Sequence, residues 1–256
     1  MSAQTDQKPV EKIKEKAHQA ARSESAPAPV RRYRAVLFQT ALIFIAGAFG
    51  ALTFLVKTTP SFAIDLQITK AIQQINFPSF AWLMSVVSWA GFNPQVVVIT
   101  VLIILIIYGL GLHWEAVMAV VAAVLSTGVN LLVKDLVQRP RPGAAMVNVI
   151  EILNSYSFPS GHVMYYLGFL GFIGFLVFSL MKPSLKRSLF LVLIGIPVVL
   201  IGISRIYLGE HWASDVLGSY LLGTLTLVAT IQLYRWGKTR FFVHQPVAPE
   251  AGSQPA

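Results

Sequence analysis

The chain has 256 residues, of which 55% are hydrophobic and only 12% charged, with a formal net charge of +9 and no cysteine. A soluble domain normally carries about twice this share of charged residues, so the composition excludes a soluble globular domain as the main part of the chain. The lack of cysteine excludes disulfides, thiolate zinc sites and cysteine nucleophiles.

The first 34 residues are polar, mix both charge signs and contain an Ala-Pro-Ala-Pro stretch. This composition differs from that of a secretory signal peptide and predicts a disordered tail. We therefore divide the chain into a cytoplasmic N-terminal tail (residues 1–34), a membrane domain (residues 35–235) and a short cytoplasmic C-terminal tail (residues 236–256).

Long runs without a charged residue follow, and a helix needs roughly 17–25 mostly apolar residues to cross a bilayer. The pair Asn93-Pro94 divides the longest run, and residues 95–112 are its more apolar half. The sequence thus predicts an all-α fold, a bundle of six transmembrane helices. The charge-free runs are residues 35–56, 71–114, 116–133, 163–181, 188–204 and 216–234.

Between the first and second predicted spans, apolar residues recur largely at helical spacing, at positions 64, 66, 68, 72 and 75. Polar residues, among them Asp65 and Gln73, lie between them. The pattern predicts a helix in the outer membrane interface. A helix packed on the outer end of the bundle would give the same pattern.

The basic residues form three clusters, before the first span, between the fourth and fifth spans and after the sixth. With six spans, all three clusters lie on one side, as expected for the cytoplasm. The excess of positive charge therefore indicates topology and contact with the lipid bilayer rather than nucleic-acid binding. Both termini are predicted to be cytoplasmic in the inner (plasma) membrane.

Two predicted outer loops carry basic residues against this rule: Lys134, Arg139, Arg141 and Arg205. Ionisable residues at such positions are candidates for function. Taken one at a time, each has another explanation. Lys134 could extend toward the interface, the arginines could bind lipid headgroups, and His211 and Asp215 could cap a helix.

Taken together, these residues suit a phosphate. Three fixed cations, Lys134, Arg141 and Arg205, can bind its oxygens through charge-assisted hydrogen bonds. In the stretch PSGH, Gly161 lets the main chain approach an anion and Ser160 adds a hydroxyl before a helix N-terminus. His211 and Asp215 are four residues apart and share a helical face, so the aspartate can orient the imidazole as a nucleophile.

These residues form three ordered motifs: Lys134-x6-Arg141-Pro142, Pro159-Ser160-Gly161-His162 and Ser204-Arg205-x5-His211-x3-Asp215. The motifs resemble the three-part signature of the type 2 phosphatidic acid phosphatase family, which shares its site with vanadium haloperoxidases and bacterial acid phosphatases. The resemblance covers roughly residues 35–235 and implies a six-helix bundle with an extracytoplasmic active site.

The resemblance also implies a role for each matching residue. His211 is the nucleophile that forms a phosphohistidine, Asp215 orients it, and His162 is the general acid for the leaving group. Lys134, Arg141, Arg205, Ser160 and the Gly161 amide hold the phosphoryl oxygens. Arg139 and Glu210 lie at variable positions of the motifs and receive no role. No metal and no other cofactor is implied.

The predicted function is therefore that of an integral membrane lipid phosphatase. Its candidate substrates are phosphatidic acid, phosphatidylglycerol phosphate and undecaprenyl pyrophosphate, because the motifs recognise phosphate and not the rest of the lipid. One alternative is a membrane anion transporter or channel that uses the same basic cluster. Another is a metal site formed by His162, His211, Glu210 and Asp215, which the neighbouring cations would oppose. The sequence leaves the oligomeric state open.

Overall fold

The structure, a computed structural model, describes residues 28–242 of the chain. The predicted tails lie outside these residues except for 28–34 and 236–242, which are helical. The described residues contain eight helices and no strand: α1 (Ala28–Thr58), α2 (Ala63–Gln73), α3 (Pro78–Trp89), α4 (Gln95–Gly109), α5 (His113–Val137), α6 (Gly161–Leu180), α7 (Leu185–Tyr207) and α8 (Ala213–Phe242).

The chain divides into two units, Met1–Phe44 and Ile45–Ala256. The described part of the first unit is the N-terminal part of α1, which is helical and largely exposed. The site and the packing described below belong to the second unit.

Five helices, α1 and α5 to α8, are long and apolar enough to cross a membrane. The other predicted span is α4, which is apolar but has only 15 residues. At a rise of 1.5 Å per residue α4 measures about 22 Å, short of a hydrocarbon core of about 30 Å. The all-helical, multi-pass architecture predicted from the sequence is thus confirmed, whereas six full spans remain a prediction.

The bundle has an apolar core and an apolar exterior. Its main core cluster is formed by α4, α5, α6 and α8 and includes Ala119, Phe169, Phe172 and Tyr234. Large apolar side chains such as Leu105, Val124 and Leu193 also point outward and are exposed. An outward apolar surface suits contact with lipid chains. Helix α6 contains one π-helical turn, Tyr166–Leu170, which begins four residues after the last residue of the PSGH motif.

Helix ends that carry site residues are fixed by local signals. At the end of α5, Gln138 adopts a left-handed conformation (φ 57°) and its N–H donates to the carbonyl of Lys134 (2.9 Å). Pro140 follows and cannot continue a helix. At the start of α8, the carboxylate of Asp215 accepts from the N–H of Trp212 (2.9 Å), which is half of a capping box. These ends set where Lys134 and Asp215 lie.

Helix α2 packs against α7 and α8 at the end of the bundle that carries the site. Its two buried residues are polar, Asp65 and Thr69, while Ile64 is 57% exposed. Gln73 ties the end of α2 to the neighbouring loops, because its amide donates to the carbonyls of Asn148 (2.6 Å) and Tyr207 (2.9 Å). The predicted helix is therefore present, and it packs on the bundle through these polar residues and through two isoleucines, Ile68 and Ile72. Its position in the membrane interface remains a prediction.

Candidate active site

The eight predicted site residues lie at one end of the bundle, where α5 and α7 end and α6 and α8 begin. Lys134 and Arg205 occupy the last turns of α5 and α7, Ser160 precedes α6, and Asp215 lies in the first turn of α8. Electrostatic interactions link His211 to Arg141, Lys134 and Arg205, and link His162 to Arg205, His211 and Arg141. The three motifs therefore form one site.

His211 is buried between a carboxylate and the cations. Its Nδ1 lies 3.5 Å from Oδ2 of Asp215, and its Nε2 lies 3.2 Å from Nη1 of Arg141. Burial lowers the pKa of His211 well below 6.5, and the nearby charges of Arg141, Lys134 and Arg205 lower it further. The ring is thus neutral near pH 7, and Nε2 is the nitrogen that faces the cation cluster.

Asp215 is completely buried and has a partner on each carboxylate oxygen. Its Oδ2 accepts from Ser157 Oγ (2.5 Å) and from the N–H of Trp212 (2.9 Å). Its Oδ1 accepts from Arg139 Nη1 (2.5 Å). The 3.5 Å separation from His211 Nδ1 is longer than a good hydrogen bond, as is common for catalytic pairs without substrate.

Two of the three cations, Lys134 and Arg141, are held mainly by oxygens of the surrounding loops. The Lys134 ammonium donates to the carbonyl of Tyr156. Arg141 donates from Nε to the carbonyl of Ser155 (2.7 Å) and from Nη1 to the carbonyl of Glu210 (2.6 Å). Burial lowers the pKa of Arg141 to about 10, so it stays protonated near pH 7. Both cations are therefore fixed before a substrate binds, which favours tight anion binding.

Arg205 is the most deeply buried of these cations, and two side chains hold its guanidinium. Nη1 donates to Ser88 Oγ (2.5 Å), and Nη2 forms an ion pair with the carboxylate of Glu210. Its Nε makes no hydrogen bond within the described residues. Glu210, which received no role from the sequence, is thus the counter-ion of Arg205, one of the three cations predicted to bind phosphate.

The PSGH stretch presents polar atoms toward the same site. The N–H of Ser160 donates to Ser219 Oγ (2.6 Å), and Asn130 Nδ2 donates to the carbonyl of Pro159 (3.0 Å). Ser160 Oγ and His162 Nε2 are buried and make no hydrogen bond within the part of the chain that the structure describes. Buried polar atoms normally have a partner, so these two are suited to bind a ligand.

The segment from Ser88 to Phe92, at the end of α3, forms a wall of the site. The ring of Phe92 contacts the ring of His162 edge to face, with 4.6 Å between centroids, and lies 5.1 Å from the Arg205 guanidinium. A Cβ at Gly91 would lie 2.2 Å from His162 Cδ2. The motifs do not include this segment, and its only signal in sequence is small and polar residues within an apolar run.

An apolar cleft of ≈ 650 Å³ runs between α4 and α5 and reaches the start of α6. Val97, Val124 and Leu131 line its walls, and Gly161 and His162 lie at its end. Thr100 and the Tyr165 hydroxyl, which are hydrogen-bonded to each other, also line it. One face of His162 therefore borders an apolar space, while electrostatic interactions connect the residue to the cation cluster.

The sequence profile of the PAP2 superfamily matches residues 114–238. Over 131 residues the chain is 31% identical to phosphatidylglycerophosphatase B of Bacillus subtilis (strain 168), a match that covers 48% of this chain and 62% of that protein. The crystal structure of a transmembrane PAP2-type phosphatidylglycerolphosphate phosphatase from Bacillus subtilis superposes with a TM-score of 0.67 and 26% identity, covering 76% of this chain and 96% of that one.

In sequence over residues 114–238 and in fold, the chain is similar to proteins of the PAP2 superfamily. A second solved structure with a similar fold is that of Aquifex aeolicus LpxE, with a TM-score of 0.55 and 20% identity over 68% of this chain and 98% of that one. The matched residues 114–238 contain all eight predicted site residues. Asp65, Ser88, Gly91 and Phe92 lie outside this PAP2 match and enter the site through the packing of α2 and α3.

Proposed function

We propose that the protein is a membrane lipid phosphatase that hydrolyses the phosphomonoester or diphosphate of a lipid. The observation that carries the proposal is the position of His162 between the cation cluster and the apolar cleft. If Lys134, Arg141 and Arg205 bind the phosphate of a lipid, its leaving oxygen would lie at His162. The hydrocarbon chain of the lipid would then lie in the cleft. Relatives named for phosphatidylglycerophosphate support the same class of substrate.

In the first step of the proposed mechanism, His211 Nε2 attacks phosphorus and forms a phosphohistidine. The bond between phosphorus and the leaving oxygen breaks, and that oxygen takes the proton of a protonated His162. The neutral ring of His211, with Nδ1 toward Asp215, supports its role as nucleophile. The imidazolium character that develops on His211 is stabilised by the carboxylate of Asp215.

In the second step, a water molecule attacks the phosphorus of the phosphohistidine. The now neutral His162 accepts a proton from that water molecule. The bond between phosphorus and Nε2 breaks, inorganic phosphate leaves, and both histidines return to their starting states. In both steps the three cations, Ser160 and the Gly161 amide stabilise charge on the phosphoryl oxygens. Loss of one such group typically costs about 10²–10³ in rate.

Metal independence is part of the proposal, because the cations already provide the positive charge that phosphate transfer needs. No group of three His, Cys, Asp or Glu side chains within residues 28–242 is arranged to hold a metal ion. In addition, Glu210, one member of the alternative metal site, is paired with Arg205. Activity should survive treatment with EDTA. Complete loss of activity that a divalent ion restores would favour the metal site instead.

We further propose that the site faces the extracytoplasmic side of the inner (plasma) membrane and that both termini are cytoplasmic. The basic clusters support this orientation if α4 crosses the membrane together with the five longer helices. The partners in this proposal are the bilayer and the lipid phosphate, and nucleic acid has no role.

The deciding experiment is an assay of the purified protein in detergent micelles with three lipids: phosphatidic acid, phosphatidylglycerol phosphate and undecaprenyl pyrophosphate. The names of the Bacillus relatives make phosphatidylglycerol phosphate the first to test. Release of inorganic phosphate by the native protein, absent in His211→Ala, supports the proposal. No release from any of the three, together with anion flux in proteoliposomes, would support the transporter or channel.

A further inference from the structure

Arg139 has the burial and the partners of a positioning residue, although it lies only two residues before Arg141 in the same motif. Its side chain is fully buried. Nε donates to the carbonyl of Pro60 (2.8 Å), and Nη1 donates to Ser214 Oγ (2.7 Å) and to Asp215 Oδ1 (2.5 Å). With Nη2 also paired, its guanidinium is committed to protein partners and is not available to a substrate phosphate.

The partner of Nη2 is Asp65, a buried carboxylate supplied by α2. Asp65 Oδ2 accepts from Arg139 Nη2 (2.8 Å) and from Ser214 Oγ (2.6 Å), while Oδ1 accepts from the N–H of Ser214 (2.8 Å). Ser214 is the neighbour of Asp215 in the first turn of α8. Asp65 therefore holds both Arg139 and the helix turn that carries Asp215.

This arrangement places one buried cation between two buried carboxylates. A buried carboxylate stays ionised only when it is paired and hydrogen-bonded. Arg139 supplies the charge for Asp215 on Oδ1, which leaves Oδ2 directed at His211 Nδ1. The planar fork of an arginine also fixes the orientation of the carboxylates that it binds, which a lysine does less well.

We propose that Arg139 and Asp65 are positioning residues that keep Asp215 ionised and oriented toward His211, so that α2 forms part of the active site. The inference rests on the proposed phosphatase function. It gives a role to a motif residue that the sequence left without one, and to a carboxylate outside the PAP2 match.

A double-mutant cycle with Asp215→Asn tests this role, with p-nitrophenyl phosphate as substrate. If Arg139 acts through Asp215, Arg139→Gln should lower kcat by about 10- to 100-fold in the native background with KM nearly unchanged. In the Asp215→Asn background the same substitution should cost less than about threefold. Arg139→Lys, which retains the charge, should recover part of kcat, and Asp65→Asn should show the same dependence on Asp215 with a smaller loss.

The matched control is Lys238→Gln, which removes a cation paired with Glu115 at the opposite end of the bundle. It should lower thermal stability without changing kcat.

Equal losses from Arg139→Gln in both backgrounds, or a change confined to KM, would overturn the inference and assign a structural role to Arg139. If neither Arg139→Gln nor Asp65→Asn folds, the inference is likewise overturned, and the two residues have a structural role. If the native protein hydrolyses neither p-nitrophenyl phosphate nor a lipid phosphate, the proposed function fails, and the inference fails with it.

Discussion

The ring of His162 lies against Gly91 so closely that a Cβ at position 91 would fall 2.2 Å from His162 Cδ2 and 2.8 Å from Nε2. Real Cβ atoms do not approach other atoms to this distance, so a side chain at position 91 must displace the histidine. The position of the proposed general acid thus depends on a glycine that no motif contains.

Gly91→Ala should therefore behave as a partial loss of His162. We expect kcat/KM to fall more on phosphatidic acid, whose leaving oxygen needs a proton, than on p-nitrophenyl phosphate. The matched control is Gly195→Ala, because a Cβ at that position meets no atom within 4 Å. Equal effects of Gly91→Ala on both substrates would contradict the proposed contact between position 91 and the leaving-group acid.

The pH dependence follows from the lowered pKa of His211. The ring can attack only when it is neutral, so activity is lost as the pH falls through the pKa that His211 has in the folded protein. Burial and three cations hold that pKa well below 6.5. The plot of kcat against pH, with p-nitrophenyl phosphate as substrate, should therefore show no decrease near pH 6.5 that is due to protonation of His211. Arg141→Ala removes the largest of the charge effects and should move the acidic limb to higher pH. A limb that Arg141→Ala leaves unmoved would count against this assignment.

Much of the candidate site could be predicted from the sequence because its chemistry is local. Lys134 and Arg141, or His211 and Asp215, lie a few residues apart at helix ends, and their spacing and residue types suffice to identify them. The presence of several long apolar helices was predictable for the same reason. Charge-free runs directly reflect the length of chain that a bilayer requires.

The rest depends on tertiary packing. Asp65 lies 74 residues from Arg139 along the chain, and Ser88 lies 117 residues from Arg205. The local sequence of α2 does not show whether the Asp65 carboxylate points into the bundle or toward water. The amphipathic spacing of the helix favours a carboxylate that faces water. The length of α4 could not be predicted from the sequence either, because the charge-free run that contains α4 continues through the turns at both of its ends.

Topology can be tested with single cysteines, since the chain has none of its own. Ala144 is exposed on the loop between α5 and α6. Ala144→Cys should react with a membrane-impermeant maleimide added outside intact cells. Lys182→Cys, on the exposed turn between α6 and α7, is the matched control and should react only after permeabilisation. The reverse pattern would place the site on the cytoplasmic side and contradict the proposed orientation.

The two histidines can be separated by the leaving group. A general acid typically contributes about 10²–10⁴-fold, and it matters in proportion to how poorly the leaving oxygen departs. A lipid alkoxide leaves badly and needs a proton from His162, whereas nitrophenolate leaves well without one. His162→Ala should thus lose far less activity on p-nitrophenyl phosphate than on phosphatidic acid.

His211→Ala should be inactive on both substrates, because a nucleophile is needed whatever group departs. Asp215→Asn should lose activity by a similar factor on both substrates while keeping a measurable rate, since it acts through His211. The measurement is the ratio of kcat/KM for the two substrates in each variant, read as a difference in transition-state stabilisation. Rescue of His211→Ala by the good leaving group would reverse the two roles. If neither histidine variant discriminates between the substrates, proton transfer to the leaving group is not controlled by these residues, and the proposed mechanism is wrong.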